Sequence, residues 1–267
     1  MSNDPFVDFK RKQRESWTTF APTATFTTPI AAHLVRFAGI RLGEVVLDVG
    51  TGTGVVAVTA ARAGARVSAL DLTPELLVEA RENARIAGHT EITWQEGDAE
   101  ALPYPDASFD VVVSQFGHMF APRPEIAVAE MRRVLKPSGR VAFATWPPEH
   151  LVGRMFALIG RNSPPPPAGA APPPLWGNPA VIIERLAGAF GEPFFERGTM
   201  FYPALSLAHY RAFIEVSIGP MRKVVEGLAD APDRLARVRA DFDELVTPYY
   251  VDNQIQQSYL LARAPIR

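Results

Sequence analysis

The sequence predicts an α/β fold: a doubly wound, mostly parallel seven-stranded sheet with a helical cap inserted before its last strand. From residue 44 to 146, short β-rich apolar runs alternate with longer helical stretches, the pattern of a parallel sheet covered on both faces. The run Val111-Val112-Val113 has no polar alternation and suits a strand buried on both sides. Gly50, Gly52 and Gly54 follow the first strand directly and lead into a helix, the strand-turn-helix context of a ligand-binding α/β domain.

Residues 45 to 49 make the first strand, and a helix over about 53 to 63 stops at Gly64. A second strand covers 66 to 70. Thr73 then serves as N-cap and Pro74 as first helical residue of a helix reaching about 87, with Gly88 as its stop signal. The third and fourth strands fall at 91 to 95 and 109 to 115, separated by the turn-rich loop LPYPDAS. A helix from 125 to 135 ends near Arg132, Arg133 and Lys136, whose charge opposes the macrodipole, and Pro137-Ser138-Gly139 separates it from a strand over 140 to 146.

Beyond Trp146 the regularity fades. The stretch SPPPPAGAAPPP, residues 163 to 174, predicts an extended, polyproline-like loop. A helix over 179 to 190 and a strand within GEPFFERGTMFYPA resume the pattern, residues 205 to 250 carry helical apolar stripes, and QSYLLAR with its flanks suits a last strand. The chain thus divides into an N-terminal segment (1–43), a core (44–204), a cap (205–250) and a returning strand (251–267).

Composition narrows the function. Of 267 residues 47% are hydrophobic and the net charge is −2, so a core can form and no broad basic field favours nucleic acid. The absence of cysteine removes thiolate chemistry, and the five scattered histidines show no zinc-ligand spacing, so no metal is expected. A charged start without an apolar leader, and the lack of any run of about 18 apolar residues, predict a cytoplasmic protein without a membrane span.

In VVLDVGTGTG the glycines permit positive φ in a tight turn and let a ligand lie against the main chain. Their G-x-G-x-G spacing, with Val55 where a dinucleotide fingerprint needs its third glycine, departs from nicotinamide-binding folds. Asp71, ending the second strand, is suited to accept hydrogen bonds from both ribose hydroxyls of an adenosine and would repel a 2′-phosphate.

With LDVGTGTG, ALDLTPELL and the long stretch EGDAEALPYPDASFDVVVSQFGHMFAPRPEIAVAEMRRVLKPSGRVAFATW, the chain resembles class I methyltransferases that use S-adenosylmethionine (SAM), especially the ubiquinone and menaquinone biosynthesis branch. The resemblance implies the Rossmann-like methyltransferase fold, SAM as cofactor and S-adenosylhomocysteine (SAH) as product. It implies that Asp48, Gly50 and Thr51 surround the amino-acid part of the cofactor, with Gly52 and Gly54 completing the turn, and that Leu72 packs on the adenosine. It further implies that Asp98 and Ala99 meet the adenine, that Gln115 and Phe116 approach the methionine side, and that Trp17, Phe20 or Thr27 fold over the ligand. His118 is the expected general base, since it follows the fourth strand and imidazole titrates near neutrality. His209, Tyr202, Tyr249 and Tyr250 are weaker candidates, and Arg123 is a candidate for an acidic acceptor.

The expected activity is in-line methyl transfer to a small molecule, with 205–250 covering the acceptor. SQFGH replaces the N/D-P-P-Y/F/W sequence of nucleic-acid amino methyltransferases. A SAM-binding protein without catalysis, a nicotinamide-dependent oxidoreductase, and a homodimer stay open.

Overall fold

The computed structural model describes residues 4–267. Two helices precede the sheet: α1 (Pro5–Trp17), capped by Asp4 accepting a bond from the Phe6 amide, and α2 (Ala24–Ala38), closed by Gly39 in the left-handed conformation. The alternating core follows as β1 (Val45–Val49), α3 (Val55–Arg62), β2 (Arg66–Asp71), α4 (Pro74–Ile86), β3 (Thr93–Glu96), β4 (Phe109–Gln115), α5 (Pro124–Val134) and β5 (Leu135–Thr145). Then come α6 (Leu151–Arg161), α7 (Pro179–Leu186), β6 (Phe194–Pro203), α8 (Leu207–Ser217), α9 (Gly219–Gly227) and α10 (Pro232–Val246). The two-residue β7 (Tyr250–Val251) and the long β8 (Gln254–Pro265) complete the chain.

The strand order is β3-β2-β1-β4-β5-β8-β6, with β7 paired to β8. Pairs among β1 to β5 are parallel, and β8 runs antiparallel to β5, β6 and β7. Order reverses between β1 and β4. Helix α3 packs on β1, β2 and α4, and α5 packs on β5. Helix α2 joins α3, and α7 packs on α5. Val111, Val112 and Val113 have no exposed surface, as double coverage requires.

The predicted fold class holds, with three differences in detail. An eighth strand exists, because Asp252 and Asn253 adopt positive φ and turn β7 back onto β8. Lys136 to Gly139 do not separate helix from strand: Leu135 already pairs with Phe109, and the pairing resumes at Val111 with Arg140, so these residues form a bulge inside β5. Helix α6 lies where regularity fades in the sequence; its two glycines, Gly153 and Gly160, weaken the helical signal. Thr73 does occupy the N-cap of α4, but its hydroxyl makes no capping bond.

Helices α8, α9 and α10 occupy most of residues 205 to 250. The first residue of α9 lies against the end of α1, where a Cβ on Gly219 would overlap the carbonyl oxygen of Ser16. Backbone cannot yield there as a flexible side chain could. Replacing Gly219 by Ala is therefore expected to push α1 and α9 apart and to cost about 1–3 kcal/mol of stability, the range for overpacking. Denaturant unfolding of the variant checks this, and an unchanged midpoint contradicts it.

Candidate active site

At the switch point between β1 and β4 the main chains nearly touch. A Cβ on Gly50 would lie 2.7 Å from the Gly117 Cα, and one on Gly117 would lie 2.6 Å from the Gly50 carbonyl oxygen. Ser114 ties the same region together: its hydroxyl donates to the Val49 carbonyl at 2.6 Å and accepts from the His118 amide at 3.0 Å. The amides of Gly50 and Thr51 both donate to the Leu70 carbonyl, joining the β1 turn to the end of β2.

Over these strand ends lies a cavity of about 200 Å³. Asp71, Leu72, Asp98 and Ala99 line it from the β2 and β3 ends, Gly50 and Gly52 from the β1 turn, and Gln115 and Phe116 from β4. Asp48 and Thr51 line a smaller adjoining hollow of about 30 Å³ that shares Gly50, Gly52, Gln115 and Phe116 as walls. Gly54 is set apart from both. It caps α3 at φ 81°, with the Trp94 ring packed so close that a Cβ would lie 2.8 Å from it.

The carboxylates differ in environment. Asp71 accepts from the amides of Gly52 at 2.7 Å and Thr73 at 2.8 Å, one on each oxygen, so it also fixes the glycine turn. Burial pushes its pKa up, against those bonds. Asp48 is fully buried: one oxygen accepts from the Thr51 hydroxyl at 2.6 Å and the other, Oδ1, has no hydrogen-bond partner among the described residues. Burial, aided by the Asp71 charge, raises Asp48 to about 7. Asp98 is bound on one oxygen by the Glu100 amide and on the other by Lys10 Nζ at 2.6 Å.

Lys10 belongs to α1, and it also meets Glu100 at 2.6 Å. Glu100 in turn takes the Arg123 guanidinium. With Gln13 donating to the Phe120 carbonyl and Trp17 packed on the Phe120 ring at 4.5 Å, α1 is fastened along one side of the cavity. Lys10, Gln13, Trp17, Phe20 and Thr27 all line it. Arg123 does not, because its charge is spent on Glu100 and Asp4.

His118 is the clear correction. It sits in a short 3-10 turn, His118–Phe120, that folds the ring beneath the strand ends. The side chain has no exposed surface, lies between Phe143 and Trp176, and has no hydrogen-bond partner on either ring nitrogen among the described residues. Burial lowers its pKa to about 3, so it is neutral at physiological pH and out of reach of the cavity. Among the weaker base candidates only Tyr202 lines the cavity. Sequence inspection missed Gly117, whose role requires knowing that two loops meet, and Trp146, on which Phe116 stacks at 3.8 Å while holding φ 65°.

A mostly parallel sheet with a glycine turn, two strand-end carboxylates and a cavity across its switch point is the architecture of a ligand-binding doubly wound α/β protein. Comparison with known proteins agrees. Residues 47–143 match the methyltransferase domain family. An uncharacterized protein of Mycobacterium tuberculosis is 35% identical over 237 residues, covering 88% of this chain and 86% of its own. A ubiquinone/menaquinone biosynthesis C-methyltransferase of Rubrivivax gelatinosus is 40% identical over 108 residues, 40% of this chain and 41% of that one. The fold is shared with a crystal structure titled a putative methyltransferase from Bacillus halodurans, at TM-score 0.60 and 22% identity over 88% of this chain and 97% of that one. The chain belongs to the SAM-dependent methyltransferase family. No helix among the described residues is long and apolar enough to cross a membrane.

Two buried groups give opposite pH signatures. The folded state holds the Asp48 proton more tightly than the unfolded chain, so its contribution to stability falls as pH rises from about 4 through about 7. His118 binds its proton less tightly when folded, so its contribution falls as pH drops from about 6.5 toward 3. In ligand-free protein, Asp48→Asn should gain stability over wild type between pH 5.5 and 8 by about 2 kcal/mol. His118→Leu should gain a similar amount, about 2 kcal/mol, between pH 8 and 5 and leave methyl transfer within about twofold of wild type. Denaturation at these pH values, and turnover of the His118 variant, check both; parallel stability profiles or a hundredfold loss of rate would contradict them.

Proposed function

We propose that this chain binds SAM across the ends of β1 to β4 and transfers its methyl group to a small molecule held toward β5, β6 and α8. The observation that carries this reading is one cavity running from Asp98 and Asp71, past the Gly50-Gly117 contact, to Tyr202 on β6 and Ile214 on α8. The residues present fit the cofactor. Asp48 Oδ1 and Gln115 Oε1 are buried polar atoms without partners, a costly state that a ligand with donors relieves.

In this reading Asp71 uses the lone pairs left over from the Gly52 and Thr73 amides to accept from ribose hydroxyls. Asp98 and Ala99 face the adenine and Leu72 packs on it. Asp48 answers the ammonium group and, with Gly50 and Thr51, holds the amino-acid part. Gln115 and Phe116 border the sulfonium side. The bound cofactor supplies an electrophilic methyl on a cationic sulfur. The protein's part is to exclude water and hold the acceptor about 3 to 3.5 Å away in line, for which no special catalytic residue is compulsory.

Calorimetry with SAM, SAH and NAD tests the assignment: the first two should bind and NAD should not. Asp71→Ala should stay folded and lose about ten- to a hundredfold in SAH affinity, since hydrogen bonds to a charged acceptor are worth about 1.5–3 kcal/mol each. Unchanged affinity would remove Asp71 from the site. Labelled SAM screened with candidate acceptors then separates an enzyme from a protein that only binds the cofactor.

A further inference from the structure

The strand order gives the cavity two chemically distinct ends. Its charged lining residues are Lys10, Asp71 and Asp98, all toward β2 and β3. Lys10 is already neutralised by Asp98 and Glu100. The opposite end, toward β5, β8 and β6, is walled by Trp146, Met155, Met200, Tyr202, Ile214 and Gln257 among others and, among the described residues, carries no ionisable acid, base or cation apart from phenols. A charged acceptor placed there would lose hydration without gaining a counter-charge.

The polar groups at this end are few. Tyr210 is fully buried and its hydroxyl accepts from the Gln257 amide at 2.6 Å. Tyr202 is 5% exposed, its ring is held by Phe26, Tyr210 and Phe213, and its hydroxyl has no hydrogen-bond partner among the described residues. Burial raises the Tyr202 pKa, so this phenol keeps its proton and serves as a donor. Because Tyr202 lines the cavity and its hydroxyl has no protein partner among the described residues, that donor is available to an acceptor on a ligand.

We propose that the methyl acceptor is an uncharged, largely apolar compound bearing an oxygen, and that Tyr202 is the positioning residue that donates a hydrogen bond to that oxygen. The proposal rests on the methyltransferase reading above, since it names the occupant of the second half of the same cavity. An acidic or cationic acceptor finds no partner there.

Four probes of similar size separate the possibilities: 2-naphthol, naphthalene, 2-naphthoate and 2-naphthylmethylammonium, each titrated by calorimetry into the SAH-loaded protein. The expected order is 2-naphthol first, naphthalene about three- to tenfold weaker for want of the hydrogen bond, and both ions weaker still. In Tyr202→Phe the 2-naphthol affinity should fall to that of naphthalene, while naphthalene and SAH affinities stay unchanged. Either ion binding as tightly as 2-naphthol would overturn the proposal, as would full 2-naphthol affinity in the phenylalanine variant or no binding of either neutral probe. Failure of SAH to bind is read in its own titration and strikes the cofactor assignment instead.

Discussion

The approach of Gly50 to Gly117 is the constraint around which the molecule is arranged. Parallel strands that diverge at a switch point leave a crevice, and here two loops without side chains close its floor to backbone contact. A Cβ on either residue would drive β1 from β4, whose pairing runs through Val46, Leu47 and Asp48. With the floor fixed, Asp48 is forced inside and Asp71 is drawn over the turn to meet the Gly52 amide. Glycine spacing in this chain therefore serves packing between loops as much as room for a ligand.

The fixed floor carries a charge problem. Asp48 and Asp71 are both buried, burial raises both pKa values, the Asp71 charge raises that of Asp48 further, and no cation of the described residues is among their hydrogen-bond partners. The free protein thus holds electrostatic cost at the place where a cationic ligand is proposed to sit. Several other charges are paired: Lys10 bridges two carboxylates, Arg140 spans Glu44 and two carbonyls, and Arg133 gathers Glu130, Asp106 and two carbonyls. Two buried carboxylates close together without a cation are characteristic of a binding centre rather than of a scaffold.

Much of this was legible in sequence because it is written in local pattern. Strands β1 and β4 follow from apolar runs bounded by turn residues, and the positions of Asp71 and Asp98 follow from strand ends. What was not legible depends on contacts between distant segments. His118 shares its loop with cavity-lining Phe116 and Gly117, yet a single 3-10 turn decides that its ring points into the core. Helix α6 follows His150, an N-cap that makes no capping bond, and contains Gly153, which is needed because a Cβ there would collide with the backbone of Pro147 and Pro148. Tyr202 is a candidate from its residue type alone; its burial follows from alternation, since Met200 and Tyr202 are buried while Phe201 between them is half exposed, but only once the strand is placed.

The pairing of β8 has a consequence for how the chain is made. Strands β1 to β5 find their neighbours among segments that emerge close together, so the parallel half of the sheet can assemble as it leaves the ribosome. Strand β6 cannot, because its partner in the sheet is β8, which is synthesised only after α8, α9 and α10. During that interval a ten-residue strand with Phe194 and Phe201 on its surface has unpaired backbone on both sides. The newborn protein passes through a stage with an open sheet edge, and the rate of translation through the three helices sets how long its neighbours can reach that edge.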